Sequence, residues 1–165
     1  MIIAYESKTG FTKRYAEMLA AKTGMKLYRV NELSKTEINE EIVFLGWLKA
    51  GRIQGLKKAR SFNLKAVCAS GTGSAAENHA ETIISDNKLG PIPFFYAQGG
   101  CLPIKDLKGT DRMMLSMFAK MLKQRNKDGK YDEAIDHIEN GFDGVVEQNL
   151  SPLIQWLNSK QSSVT

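Results

Sequence analysis

Residues 7–12 read Ser-Lys-Thr-Gly-Phe-Thr, three hydroxyls and one glycine within six positions. Hydroxyls donate to the oxygens of an anion, and glycine lets the backbone turn tightly and bring its own N–H groups close, with no Cβ in the way. Placed where a helix begins, with unpaired N–H groups and the positive end of the dipole converging, such a segment captures a phosphate. The competing role for Ser7, Thr9 and Thr12 is simple helix capping, but three hydroxyls around one glycine exceed what a cap requires. No Gly-Lys-Ser/Thr follows, so this is not the phosphate loop of the nucleoside triphosphatases.

Two further segments combine backbone access with side-chain chemistry. Residues 46–52, Gly-Trp-Leu-Lys-Ala-Gly-Arg, hold one aromatic plane, Trp47, which suits either stacking on a flat ring or closing the end of a sheet. Residues 70–78 begin Ser70-Gly71-Thr72-Gly73-Ser74. There Gly71-x-Gly73-x-x-Ala76 overlaps a dinucleotide fingerprint, but it follows the fourth expected strand and no acid ends the next one, where a ribose partner belongs. Cys101 sits in a glycine-rich stretch without a resolving thiol beside it, and an unaccompanied cysteine is usually inert. His79 and His137 lack companions at zinc-ligand spacing, so no metal site is expected.

These segments need elements to position them. Short apolar runs at Ile2–Glu6, Lys26–Val30, Glu41–Trp47, Ala66–Ser70 and Pro93–Gln98 predict five strands. The third is apolar at nearly every position, as a strand covered on both faces must be, which argues for a parallel sheet. Helices are predicted between them. Thr12–Thr23 carries Tyr15, Met18, Leu19 and Lys22 at helical spacing and stops at Gly24. Ala75–Asn87 aligns Ala76, His79, Ala80, Ile83 and Ile84. Asp111–Arg125 aligns Met114, Met117, Phe118, Met121 and Leu122, a stripe suited to a core or, with Met113 and the nearby bases, to adaptable surface contact. A last helix starts near Asn149, with Pro152 in its first turn. Alternating strands and helices predict an α/β, doubly wound three-layer sandwich in a single domain over residues 1–165. Such sheets bind ligands at the carboxyl ends of their strands, where all three segments fall.

Ser7-x-Thr9-Gly10-x-Thr12 resembles the phosphate loop of the flavodoxin-like family, Thr/Ser-x-Thr-Gly-x-Thr, at every specified position. The resemblance extends along the chain through strand number, spacing and loop positions. It implies a five-stranded parallel sheet of order 2-1-3-4-5 and an FMN cofactor. Ser7, Thr9 and Thr12 would give hydroxyls to its 5′-phosphate, and backbone N–H groups from Lys8 through Gly10 and Phe11 to Thr12 would complete the cradle. Trp47, Leu48, Lys49, Ala50 and Gly51 would flank the flavin ring on one side, and Ser70, Gly71, Thr72 and Gly73 on another. Two aromatics usual in the family are missing, before Gly51 (where Ala50 stands) and near Ala76 and Glu77, which implies a more open flavin face.

A narrower resemblance covers Gly99 to Met121. The segment is similar to the flavodoxin-like, menaquinone-dependent protoporphyrinogen oxidases, whose Met-rich basic helix opens with Asp-Arg and apolar residues, here Asp111-Arg112-Met113-Met114. It implies an oxidoreductase taking electrons from an anionic small molecule to a quinone-like acceptor. The alternatives are a flavodoxin-type electron carrier between redox partners and a flavin-free regulatory or structural domain.

The chain has 165 residues, 42% of them apolar and 25% charged, and a net charge of +5, which places it among folded globular chains. The charge is unevenly distributed. Residues 49–65 hold six bases and no acid, residues 105–130 eight bases and three acids, and residues 131–165 six acids and one lysine. Ordinary flavodoxins are acidic around the flavin. Reversed charge there predicts an anionic substrate, an acidic redox partner or peripheral contact with an anionic membrane through segments 49–65 and 105–130, and no nucleic acid. The apolar stretch Ile42–Leu48 is far shorter than the ~20 residues that cross a bilayer. The opening Met-Ile-Ile-Ala-Tyr-Glu lacks the form of a signal peptide, and two cysteines make no disulfide framework, so a cytoplasmic location is expected.

Overall fold

The computed structural model describes residues 1–34, 39–74 and 79–162. Its sheet is parallel, with the order β2-β1-β3-β5-β6 from β1 (Ile2–Tyr5), β2 (Leu27–Arg29), β3 (Glu41–Lys49), β5 (Asn63–Gly71) and β6 (Phe94–Gln98). Counting these five alone, this is the 2-1-3-4-5 order of the flavodoxin-like fold. The short β4 (Arg52–Ile53) adds antiparallel to β3. Register runs Tyr5↔Leu45 from β1 to β3, Leu45↔Cys68 onward to β5 and Cys68↔Phe95 to β6.

Alternation along each strand divides the core between two faces. Ile3, Tyr5, Val43, Leu45, Ala66, Cys68 and Ala97 point to one side, where α1 (Phe11–Thr23) contributes Tyr15, Ala16 and Leu19, and α6 (Ser151–Ser162) contributes Leu153 and Leu157. Ile2, Ala4, Ile42, Phe44, Val67 and Ala69 point to the other, covered by Leu56 and Ala59 of α2 (Leu56–Ala59), Ile83 of α3 (Ala80–Asp86) and Leu89. Each large apolar side chain buried this way contributes about 1.5–3 kcal/mol. Helix α1 stops where Gly24 turns left-handed, its N–H returning to the Ala20 carbonyl at 2.9 Å. The short 3₁₀ turn Glu147–Leu150 leads into α6, where Pro152 stands in the first turn.

Several boundaries differ from the sequence reading. Strand β3 continues past Trp47 to Lys49, because the chain doubles back as a hairpin and its ladder pairs Leu48 with Ile53 and Lys49 with Arg52. The fourth strand begins at Asn63 rather than Ala66, paired with Glu41. The helix expected from Ala75 begins, among the described residues, at Ala80, while positions 75–78, with Ala76 and Glu77, lie outside them.

The chain groups into two compact units, residues 1–99 with 145–165, and residues 100–144. The first contains the whole parallel sheet. The second consists of the strand pair β7 (Gly100–Cys101) and β8 (Phe142–Asp143), a 3₁₀ turn at Ile104–Asp106, α4 (Gly109–Arg125) and α5 (Asp132–Asn140). It has its own small core of Ala119, Leu122, Ile135 and Ile138, with Ile104, Leu115, Met121 and Tyr131 packed around it. The expected stripe of α4 is only partly inward: Leu122 is buried, but Met114, Met117 and Phe118 are exposed, because Leu115 and Ala119 take the places facing α5.

Candidate anion and ring site at the carboxyl edge of the sheet

The loop after β1 emerges between β2 and β3, where the connections from β1 and β2 run to opposite sides and leave a crevice. Buried Ser7 turns its Oγ inward to accept the Gly10 N–H at 3.2 Å, which curls the segment. Gly10 then caps α1 at φ 96°, ψ −19°, a left-handed conformation that a side chain would strain. No side chain caps this helix. Its first hydrogen bond runs from the Arg14 N–H to the Gly10 carbonyl at 3.0 Å, so the N–H groups of Phe11, Thr12 and Lys13 find no acceptor among the described residues. The space where a Cβ of residue 10 would stand is empty to 4 Å. Unsatisfied donors at the positive end of a helix, facing open space behind a glycine, suit a phosphate.

The hydroxyls divide their work. Thr9 is exposed at the loop's crest. Thr12 is buried, and its Oγ1 meets Ser70 Oγ of β5 at 2.6 Å, tying the start of α1 to the end of the fourth parallel strand. When Ser70 donates, Thr12 keeps its proton for an anion; when Thr12 donates, only its N–H faces outward. Lys8 lies in the same loop with its ammonium 5.8 Å from the Trp47 ring centroid. Trp47 belongs to neither face of the core, so it stands beside the phosphate loop at the end of β3 rather than sealing the interior.

The remaining sequence candidates fall into two groups. Ser70 and Gly71 end β5, and Thr72 and Gly73 follow under tight control: Tyr96 Oη donates to the Gly73 carbonyl at 2.6 Å, Gln98 Nε2 to the Thr72 carbonyl at 3.4 Å, and the Gly99 N–H to the Gly71 carbonyl at 2.7 Å. Leu48 reaches this segment, its Cδ1 standing 3.2 Å from where a Gly71 Cβ would be. Ala50 and Gly51 instead form the hairpin tip, at φ 47° and 76°. The hairpin is tied to the end of α3: the Gly51 carbonyl accepts from Asn87 Nδ2 at 2.7 Å, and Arg52 donates to the Asp86 carbonyl. The loop expected over 46–52 is thus a strand end and a tight turn, and its Trp47 half is the part beside Lys8.

Sequence reasoning missed Tyr96, Gln98 and Asn87. A signal existed for the first two, polar tips two apart at the end of a strand, which therefore share a face. Asn87 carried none, since its partners Ile53 and Gly51 lie far away in the chain. Neither thiol is primed as a nucleophile. Burial pushes the Cys68 thiol up to about 12 and raises that of Cys101 as well. Among the described residues no cluster of three His, Cys, Asp or Glu side chains is arranged to hold a metal, and no helix is long and apolar enough to cross a membrane.

No family model matches this chain, and no curated protein matches it in sequence. Among solved structures it is similar to a flavodoxin from the domain Archaea. The likeness has 13% identity and a TM-score of 0.38, covering 76% of this chain and 97% of that one. At that score it carries no argument about function. The fold stands on the strand order above.

Proposed function

We propose that this chain is an FMN-binding redox protein of the flavodoxin-like kind, with residues 1–165 working as one domain. The observation that carries this reading is the uncapped start of α1, where Gly10 is left-handed and the N–H groups of Phe11, Thr12 and Lys13 lack acceptors at the sheet's switch point. Those donors, with the exposed Thr9 hydroxyl, fit the 5′-phosphate of FMN. Trp47 supplies a plane for its ring, and the segment from Ser70 to Gly73, held by Tyr96 and Gln98, presents backbone edges. FMN, when bound, supplies the electron chemistry; this chain supplies capture, orientation and exclusion of water on the Trp47 side.

The finer reading is an oxidoreductase of the protoporphyrinogen-oxidase type, acting on an anionic small molecule with a quinone-like acceptor. It is supported by the Asp111-Arg112-Met113-Met114 start of α4 and the basic segments. Two experiments separate the levels. Titrating the protein with FMN should quench flavin fluorescence at micromolar concentration, and Thr9→Ala should weaken binding by ~1–3 kcal/mol; absence of quenching rejects the cofactor. Turnover of protoporphyrinogen with menadione by the loaded protein, above that of free FMN, supports the finer reading, and its absence rejects that reading alone.

A further inference from the structure

Helix α4 has two apolar faces, and only one is used within residues 100–144. The inner face buries Ala119 and Leu122 against Ile135 and Ile138 of α5. The outer face exposes Met113, Met114, Met117 and Phe118 at 58%, 46%, 67% and 46%, four of the six large apolar side chains exposed among the described residues. At 100° per residue they fall within an arc of about 140° on one side of the helix. A cluster of this kind marks an interaction surface, whereas scattered apolar residues need no explanation.

Charge is segregated around it. Helix α4 carries Arg112, Lys120, Lys123 and Arg125 against the single acid Asp111, while α5 carries Asp132, Glu133, Asp136 and Glu139 and no lysine or arginine. Because α5 packs on the inner face, its acids lie behind the helix, where Glu139 pairs with Lys123. On the helical wheel Lys120 borders the outer arc on one side and Asp111 on the other, while Arg125 falls within it, so two bases accompany the apolar side chains against one acid. Met and Phe on one helix surface, with bases alongside and the four acids of α5 set apart from it, match an amphipathic helix lying in a lipid interface. Long basic side chains reach the headgroups while the apolar ones sink below. A second copy fits less well, since a two-fold contact through this face would bring like charges together.

We propose that the outer face of α4 docks on the surface of an anionic lipid bilayer. The proposal does not depend on FMN binding. Its test is co-sedimentation of the full chain with vesicles of phosphatidylcholine, with and without phosphatidylglycerol. The expected result is partitioning on the order of tenfold stronger onto the anionic vesicles, weakened by high salt. Met113→Glu with Met117→Glu should reduce it to the level of pure phosphatidylcholine while circular dichroism and thermal unfolding stay those of the parent. Lys120→Glu with Arg125→Glu, which leaves the apolar arc intact, should remove the preference for anionic lipid, and it decides the matter should the methionine variant misfold. Failure of the parent to bind anionic vesicles, unchanged binding by the variants, or a dimer in sedimentation equilibrium that the methionine substitutions dissolve would each overturn the proposal.

Discussion

Gly10 is the residue on which the anion site turns, since its φ of 96° puts the following N–H groups at the mouth of the loop. Gly10→Ala meets no neighbour within 4 Å, so its cost comes from conformation alone. We expect a loss of about 1–2 kcal/mol in thermal unfolding. FMN affinity should fall as well, because the new methyl group occupies the open space before the helix. Cys68 offers a separate check. Unfolded, its thiol ionises around 9.0; folded, burial keeps it protonated up to about 12. Between those values only the unfolded chain releases the proton, so stability is undiminished below 9.0 and falls above it, by about 1.4 kcal/mol per pH unit. Urea midpoints on either side of 9.0 measure the slope, and Cys68→Ala should make it shallower by the thiol's share. At this scale the hydroxyl loop was legible because its residues are neighbours in sequence. The division of labour between Thr9 and Thr12 was not, because it depends on Ser70, 58 positions away.

Among the elements, the hairpin after β3 shows how a small motif is held by a distant side chain. Asn87 accepts the Ile53 N–H at 2.8 Å and donates to the Gly51 and Ile83 carbonyls at 2.7 and 2.9 Å, so one buried amide joins the turn to the end of α3. Arg60 donates to the Asn87 and Lys88 carbonyls and secures the same corner. Asn87→Ala leaves buried backbone groups without partners and should cost about 1–3 kcal/mol in urea unfolding. The hairpin also requires Gly46, where a Cβ would stand 2.6 Å from Ile53 Cγ2 and 2.7 Å from the Gln54 carbonyl oxygen. Strands were legible in the sequence because a doubly covered strand is an unbroken apolar run, as in β3. Helix α5 was missed although its signals were present, with Asp132 and Glu133 in the first turn, Ile135 and Ile138 three apart, and Gly141 at the end. The α4 stripe was seen, but periodicity names a face without saying what covers it. Only the placement of Ile135 and Ile138 decides that Ala119 and Leu122 go inward.

At the scale of the whole molecule, the two units differ in how much they bury. The sheet unit has an extensive core on both faces, whereas residues 100–144 bury four apolar side chains. Amides of α4 and α5 should therefore exchange with solvent well before those of β1, β3 and β5, which hydrogen-exchange mass spectrometry reads directly; equal protection would mean the small core is worth more than its size. The shorter unit also has an unusual mouth. Gly100 pairs with Asp143 and Cys101 with Phe142, so the incoming and outgoing chains run side by side, about 5 Å apart, before any helix begins. The segment is therefore a cassette on a clasped stem. Adding or removing chain beyond the stem changes the closure entropy only logarithmically and leaves the strand ladder's register untouched.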